Sequence, residues 1–257
     1  SSLKNIFIPS SVVEIEQPFI GCSSLESIKV ESNNTVYDSR DNNNAIIHTG
    51  SNTLICGCQN TVIPKSITKI GKYAFAECST LKTIEIPESV TEINEGAFYG
   101  CSELRNINIP SSVKELNSEC FASCSLLSSV NIPDNVIKIE DYCFYECSAL
   151  ISIVIPNSVE SIGEFCFDRC SALTSITIPN SVTKIGSAFG MCTSLTHINL
   201  PNTISNISSH NNRCKILCFL PLLPVYRARS PYLRGLRLPV PYRSDSRTSE
   251  SHRDYAQ

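Results

Sequence analysis

Proline recurs every 23 residues through the middle of this chain, and this spacing constrains the fold more strongly than any other feature. The prolines in register are Pro64, Pro87, Pro110, Pro133, Pro156 and Pro179. Between them the same apolar pattern returns with the same spacing, as in the stretch 84–106. A single repeat of this length cannot bury its own apolar face, so successive repeats must stack on one another. The period therefore predicts a solenoid.

Apolar residues at fixed offsets predict one short strand in each repeat. Aligned copies place them as at Leu81, Ile84 and Ile86. β-Branched residues two positions apart are typical of a strand whose alternate side chains face inward. Proline ends each strand because it has no N–H to continue the ladder. We expect nine parallel strands in one sheet, ending at Ile8, Val30, Ile63, Ile86, Ile109, Ile132, Ile155, Ile178 and Leu200.

The return path of each repeat carries a valine or isoleucine, an isoleucine or leucine, and then a phenylalanine. We expect one helical turn to hold each phenylalanine and the cysteine three residues later. Gly71, Gly163 and Gly186 suggest a turn with positive φ before it. The phenylalanine column is Phe19, Phe75, Phe98, Phe121, Phe144, Phe167 and Phe189.

The repeated text resembles the BspA-like class of leucine-rich repeats. Its pattern is Ile-x-Ile-Pro-x-Ser-Val-x-x-Ile-Gly-x-x-Ala-Phe-x-x-Cys-Ser-x-Leu, and it extends over residues 1 to about 207. The resemblance implies a leucine-rich repeat solenoid, α/β in type but mainly β, with a parallel sheet on one face and short strands and single helical turns on the other. It also implies surface or secreted proteins of host-associated bacteria and of some protozoa, linked to adhesion and to binding of host matrix proteins.

A longer variant repeat is expected at about residues 32–63, where the next proline arrives late. The segments 45–48 and 53–56 are apolar and are joined by Thr-Gly-Ser-Asn, which predicts a β-hairpin. Asp38, Asp41 and the asparagines 42–44 suggest a cation loop, but they lack the glycine and the closing glutamate of a calcium loop. A solvated turn is the favoured interpretation.

Ten of the 14 cysteines occupy two repeat columns, which predicts reduced, buried thiols rather than a disulfide framework. Disulfide or metal roles are the alternative. The main column is Cys22, Cys78, Cys101, Cys124, Cys147, Cys170 and Cys192, and a second one is Cys120, Cys143 and Cys166.

Residues 208–257 have a different composition, rich in arginine and carrying about +6, which leaves about −9 on the repeats. We expect a basic, disordered tail. Its apolar stretch 216–225 is too short and too broken by proline to span a bilayer, so no transmembrane segment is expected. Basic tails also bind membranes or nucleic acid, but no nucleic acid partner is expected here. Because the chain starts inside a repeat, we expect a fragment of a longer protein.

No motif for catalysis or for a cofactor is recognisable in the sequence. His48, His197, His210 and His252 have no cysteine or carboxylate at metal or catalytic spacing. A phosphate-binding glycine loop and a Gly-x-Ser-x-Gly elbow are both missing. The sequence therefore predicts a protein that is not an enzyme and holds no metal or cofactor.

The outward side chains of the predicted sheet form the candidate partner-binding surface. They are read either as a solvated sheet with polar ladders or as a platform for a protein or a glycan. This sheet face consists of Thr83, Glu85, Asn106, Asn108, Ser129, Asn131, Ser152, Val154, Ser175, Thr177, His197 and Asn199.

The extended face and the lack of a recognisable catalytic motif lead to two functional hypotheses. The first is a non-enzymatic protein-interaction module, part of a cell-surface or secreted adhesin that binds a host or matrix protein; the surface location comes from the family resemblance. The second is an intracellular protein-binding scaffold. Asn33 and Asn206 begin glycosylation patterns that do not separate the two.

Overall fold

The computed structural model describes residues 2–15 and 19–204, and these form a solenoid of stacked coils, as predicted. The basic tail expected at 208–257 lies outside the described residues. In chain order the strands are β1 (Asn5–Ile8), β2 (Ser27–Val30), β3 (Tyr37–Asp38), β4 (Ile46–His48), β5 (Thr53–Cys56), β6 (Lys69–Ile70), β7 (Glu92–Ile93), β8 (Asn106–Asn108), β9 (Glu115–Leu116), β10 (Ser129–Asn131), β11 (Lys138–Ile139), β12 (Ser161–Ile162), β13 (Ser175–Thr177), β14 (Lys184–Ile185) and β15 (His197–Asn199). A single 3₁₀ turn, Arg40–Asn42, is the helical element among the described residues.

The predicted face is built from parallel strand pairs rather than from one continuous sheet. β1 pairs with β2, β8 with β10, and β13 with β15, each in the register of the sequence columns. The expected strands ending at Ile63, Ile86 and Ile155 are not regular strands, although these three isoleucines are buried. Single backbone bonds still join their coils to the next, as from Thr174 N–H to Ile151 O (3.2 Å). Burial of the inward residues is therefore kept where the ladder is interrupted.

A second parallel ladder lies after the proline turn, on the return path. β9, β11, β12 and β14 form a four-stranded sheet, and β6 and β7 belong to a five-stranded sheet that begins in the variant repeat. Each strand contributes one buried residue of the isoleucine column, such as Ile70 or Ile139. Each strand of this ladder is only two residues long because the chain bends sharply on either side of it.

Hydrogen-bonded turns, and not single helical turns, carry the phenylalanines. Alternate amides donate within the coil and to the following coil: Ala76 N–H donates to Tyr73 O (3.0 Å), whereas Phe75 N–H donates to Ala97 O (2.8 Å). A helix would direct all of these groups along its own axis and leave the coils unlinked. The turns require left-handed residues, which are Tyr73, Gly96, Glu119, Tyr142 and Phe165 in one column.

The prediction of positive φ at Gly71, Gly163 and Gly186 is wrong, because the left-handed residues lie elsewhere in the turn. Glycine is favoured at Gly163 by close packing between coils. A Cβ atom there would lie 2.4 Å from the amide nitrogen of Asp141 in the preceding coil.

The variant repeat separates two apolar cores. β4 pairs antiparallel with β3 and β5, and β5 then pairs in parallel with β6 of the next coil. Ile46 faces a smaller core with Ile28 and Val30, whereas Ile47 and Leu54 face the large core of the following repeats. Both neighbouring isoleucines are fully buried because successive side chains of a strand point to opposite sides.

Stacked phenylalanine rings run through the large core. Ring centroids from Phe75 to Phe189 are 5.2–5.6 Å apart, and the interplanar angles are 4–13°. The stack begins beside Gly57 of the variant repeat, where a Cβ atom would lie 2.1 Å from the Phe75 ring. The predicted file of buried rings is confirmed for these coils.

Candidate protein-binding face

The twelve residues of the sheet face are all exposed, while the inward residues between them are buried or half-buried. Strand pairing places equivalent residues side by side. Asn106 lies beside Ser129 and Asn108 beside Asn131 in one pair, and His197 lies beside Ser175 in another. Rows of outward side chains thus follow the stacking direction and form an accessible surface with a rigid backing.

Polar contacts across this face are sparse. Asn131 Nδ2 donates to Asn108 Oδ1 at 3.0 Å, which gives one rung of an amide ladder. At the end of the face, Thr196 Oγ1 and His197 Nδ1 are 2.8 Å apart. Most of the amide and hydroxyl groups of the face therefore keep donors and acceptors for a partner.

Charge on the face is low, since Glu85 is the only acidic residue of the twelve and none of them is lysine or arginine. Exposed apolar side chains are more prominent: Val154 is 80% exposed. Val62 and Phe7 occupy the same column and are 71% and 57% exposed, but sequence analysis did not assign them to the face. Both stand two residues before a proline, so extending the column through Pro64 and Pro9 would have found them.

The cysteine column is structural. Among the described residues the cysteines are free thiols, and all but the half-buried Cys22 are buried. Cys124 Sγ donates to Phe98 O of the preceding coil at 3.2 Å, and equivalent bonds are made by Cys101, Cys147 and Cys170. Burial raises the pKa of the Cys124 thiol to about 12, so a thiolate is strongly disfavoured. Each thiol supplies a second donor for a buried carbonyl.

The other candidate ligand groups are engaged or isolated. Asp38 accepts two hydrogen bonds from the Arg40 guanidinium, at 2.8 and 2.6 Å, and so forms part of the turn rather than a cation site. His48 Nδ1 contacts Ser51 Oγ at 2.9 Å. No group of three or more histidine, cysteine or acidic side chains is placed to hold a metal within the described part of the chain. His210 and His252 lie outside it.

Asp168 is the one buried carboxylate of the described coils and is only 5% exposed. Burial raises the pKa of its carboxyl group, and Oδ1 has no hydrogen-bond partner. Gly190 of the next coil leaves room for it, since a Cβ atom there would lie 2.1 Å from Oδ1. The equivalent residues are Ala122 and Tyr145, so the carboxylate is a local substitution rather than part of a repeated site.

A comparison with known protein families identifies the family of this chain. The model of the BspA type leucine rich repeat region matches in six copies, over residues 1–47, 53–138 and 119–217. The chain belongs to the BspA-type leucine-rich repeat family. Membership in this family implies a protein-interaction module, and its proteins are generally non-enzymatic binding scaffolds. No curated protein matches the sequence.

Solved structures of other leucine-rich repeat proteins share the fold. A leucine-rich repeat protein from Eubacterium ventriosum is 28% identical with a TM-score of 0.71, and the match covers 81% of this chain and 57% of that one. The pneumococcal vaccine antigen PcpA is 18% identical with a TM-score of 0.53, covering 79% of this chain and 47% of that one. At 18% identity the likeness to the antigen shows the fold alone. The chain spans 47–57% of the length of these two proteins.

The structure also bears on membrane insertion. Over residues 2–15 and 19–204, helices with the length and apolar character needed to cross a bilayer are absent.

Proposed function

We propose that the chain is the non-enzymatic protein-binding part of a cell-surface or secreted adhesin, and that its sheet face contacts a host or matrix protein or its glycan. The family supports a protein-interaction module. The surface location rests on what the family resemblance implies.

The observation that carries the proposal is the exposure of all twelve residues of the sheet face above a row of packed inward side chains. Their inward neighbours are buried or half-buried, and Ile107 and Ile176 are each 4% exposed. A rigid surface loses little conformational entropy on binding, which favours affinity. The scarcity of charge and the free amide groups suit a polar partner bound over many small contacts rather than at one hot spot.

Reversing the character of the face tests the proposal. Glu85, Asn108, Asn131 and Thr177 are replaced together by lysine in the full chain, and binding to immobilised matrix proteins is measured. We expect the affinity to fall about tenfold or more, because four outward side chains of one column are changed at once.

A matched control places the same charge change on another side of the coils. Thr91, Ile137, Glu160 and Thr183 are exposed and form one column beside the second ladder, and their replacement by lysine also converts one glutamate and three neutral residues. This variant should bind like the wild type. Equal binding by the sheet-face variant would exclude that face as the site. Absence of binding by the wild type to any matrix protein would favour the intracellular scaffold instead.

A further inference from the structure

Three aromatic side chains cluster on the outside of two neighbouring phenylalanine turns. The rings of Tyr142 and Phe165 are stacked with centroids 5.0 Å apart, and Tyr145 meets Tyr142 edge-on at 5.6 Å. Tyr142 is 36% exposed, and the other two rings are half-buried. Gly96 and Glu119 take the place of Tyr142 in the preceding coils, so stacking of the coils does not require a ring there. The aromatic cluster is therefore a local surface feature.

This surface already holds one guanidinium group. The Arg169 Cζ atom lies 5.7 Å from the centroid of the Tyr145 ring, and Arg169 Nη1 donates to Glu146 Oε1 at 2.9 Å. Ser123 Oγ donates to the other carboxylate oxygen of Glu146 at 3.2 Å. Arginine suits such a position because its planar cation stacks on an aromatic face while its N–H groups bind a carboxylate. A ring and a carboxylate of one turn thus hold the guanidinium of the next coil.

Carboxylates without a cation directly precede the rings of Tyr142 and Phe165. Glu164 N–H donates to Asp141 Oδ1 and Ser187 N–H donates to Glu164 Oε2, both at 2.7 Å, which fixes each carboxylate against the following coil. Tyr142 N–H donates to Glu164 O at 2.8 Å, so these two residues lie side by side. Neither Asp141 nor Glu164 forms an ion pair within the described coils, and their second oxygens, Oδ2 and Oε1, accept no hydrogen bond there. The combination of ring and carboxylate around Arg169 therefore recurs beside Tyr142 without a guanidinium.

The charges around these rings favour a cation. Residues 118–123, 141–146 and 164–169, here called the turn patch, contain Arg169 as their single basic residue. Their acidic residues are Glu119, Asp141, Glu146, Glu164 and Asp168. Asp168 is only 5% exposed, and its unpartnered Oδ1 lies where a side chain at Gly190 would stand. Because water screens such a carboxylate poorly, it strengthens the attraction of the patch for a cation, while Lys138 of β11 is already paired with Glu115 at 3.4 Å.

We propose that the turn patch binds an arginine side chain in a basic segment of a partner protein. The guanidinium stacks on the exposed side of the Tyr142–Phe165 pair and donates to the second oxygens of Asp141 and Glu164. Lysine fits less well, because its compact ammonium group lacks the planar fork that stacks and binds carboxylates together. The patch shares no residue with the sheet face, so this site stands apart from matrix-protein binding by that face.

Peptide binding to the full chain labelled with ¹⁵N tests the ligand. The probe is acetyl-Gly-Arg-Gly-Arg-Gly-amide, and its matched control has citrulline, which is neutral and similar in shape, in place of both arginines. We expect amide shift changes centred on the turn patch. The citrulline peptide should bind at least about tenfold more weakly, and the peptide with lysine at both positions about threefold more weakly.

Substitutions outside the apolar core test the residues. Asp141→Asn with Glu164→Gln should weaken binding of the arginine peptide about tenfold, because both charges that meet the guanidinium are removed. Tyr142→Leu should weaken it about threefold through loss of the stacking ring. Glu92→Gln with Asp134→Asn removes two exposed carboxylates, at β7 and at a proline turn, and should leave binding like that of the wild type. The ¹⁵N spectrum of each variant shows that the fold is kept.

Each contrary result overturns the proposal. Shift changes that are absent from the turn patch, or spread over other faces, exclude the patch as the site. Equal binding of the citrulline peptide excludes recognition of the charge, and equal binding of the lysine peptide excludes recognition of the guanidinium. An equal loss of affinity in the Glu92 and Asp134 control shows attraction to the acidic repeats as a whole rather than to a site. Because the readout lies at the turn patch, these outcomes are independent of matrix-protein binding by the sheet face.

Discussion

In residues 64–204 one set of contacts returns in each coil, whereas in residues 2–15 and 19–63 several contacts are made once, by a particular side chain. The first region, the regular array, has stacked phenylalanines and a file of thiols that donate to phenylalanine carbonyls. The second, the variant region, relies on groups such as Asn34. Its Nδ2 donates to Pro9 O and Val12 O, and its Oδ1 accepts the N–H groups of Val36 and Tyr37.

The difference shows how a solenoid accommodates an irregular repeat. The array can propagate because each coil presents to the next the same surface that it received. The hairpin presents different surfaces on its two sides, with Ile46 towards one core and Ile47 towards the other. Stacking then needs individually placed hydrogen bonds, and the ladder opens beside β2. We expect the two regions to respond differently to equivalent mutations.

The largest difference is expected at the phenylalanine column. Phe121→Ala should lower the free energy of unfolding by about 3–5 kcal/mol, because it leaves a cavity between two rings. Phe19→Ala changes the same column in the variant region, where the side chain is half-buried, and should cost less than half as much. Chemical denaturation measures both. Equal losses of unfolding free energy would show that a fully buried ring in the array stabilises the protein no more than the half-buried ring in the variant region.

A smaller effect with a clear location is expected at the two neighbouring isoleucines of β4. Ile46→Ala and Ile47→Ala should each cost about 2–5 kcal/mol, since both side chains are fully buried. Amide hydrogen exchange should separate them. Ile46→Ala is expected to speed exchange in β1 and β2, and Ile47→Ala in β6 and β7. Acceleration of the same amides by both variants would mean that the cores are not independent.

The smallest effect is expected at the asparagines that join coils. Asn34→Ala removes a side chain with four hydrogen bonds and should cost about 1–3 kcal/mol. Asn135→Ala in the array removes one exposed bond, to Ser111 O, and should cost about 0.5–1 kcal/mol. Thermal unfolding of the two variants gives the comparison. A larger loss for Asn135 would contradict the view that single side chains hold the variant region.

Sequence periodicity was sufficient to predict the solenoid, the inward columns and the phenylalanine file, because these depend on which residues recur. The family resemblance implied short strands on the other face, and the second ladder, with β11 at Lys138–Ile139, confirms them. Periodicity alone did not place these strands, and it did not predict the turns at Tyr73. Two strand residues and a left-handed turn leave little trace in composition when tyrosine, glutamate and glycine all occupy the left-handed position. The sheet face was recognisable as alternation, but Phe7 and Val62 belong to it only when the column is carried through the irregular repeat.

The amino-acid sequence by itself determined the family, the period and the residues that must be buried, since apolar spacing acts locally and repeats. Only the tertiary structure decided where the parallel ladder breaks and that β2 pairs with β1 alone. It also decided that Lys29 faces a cleft there. These features depend on how the hairpin at 46–56 packs between two coils. Because this insertion occurs once, its long-range packing leaves no repeating signal in the sequence.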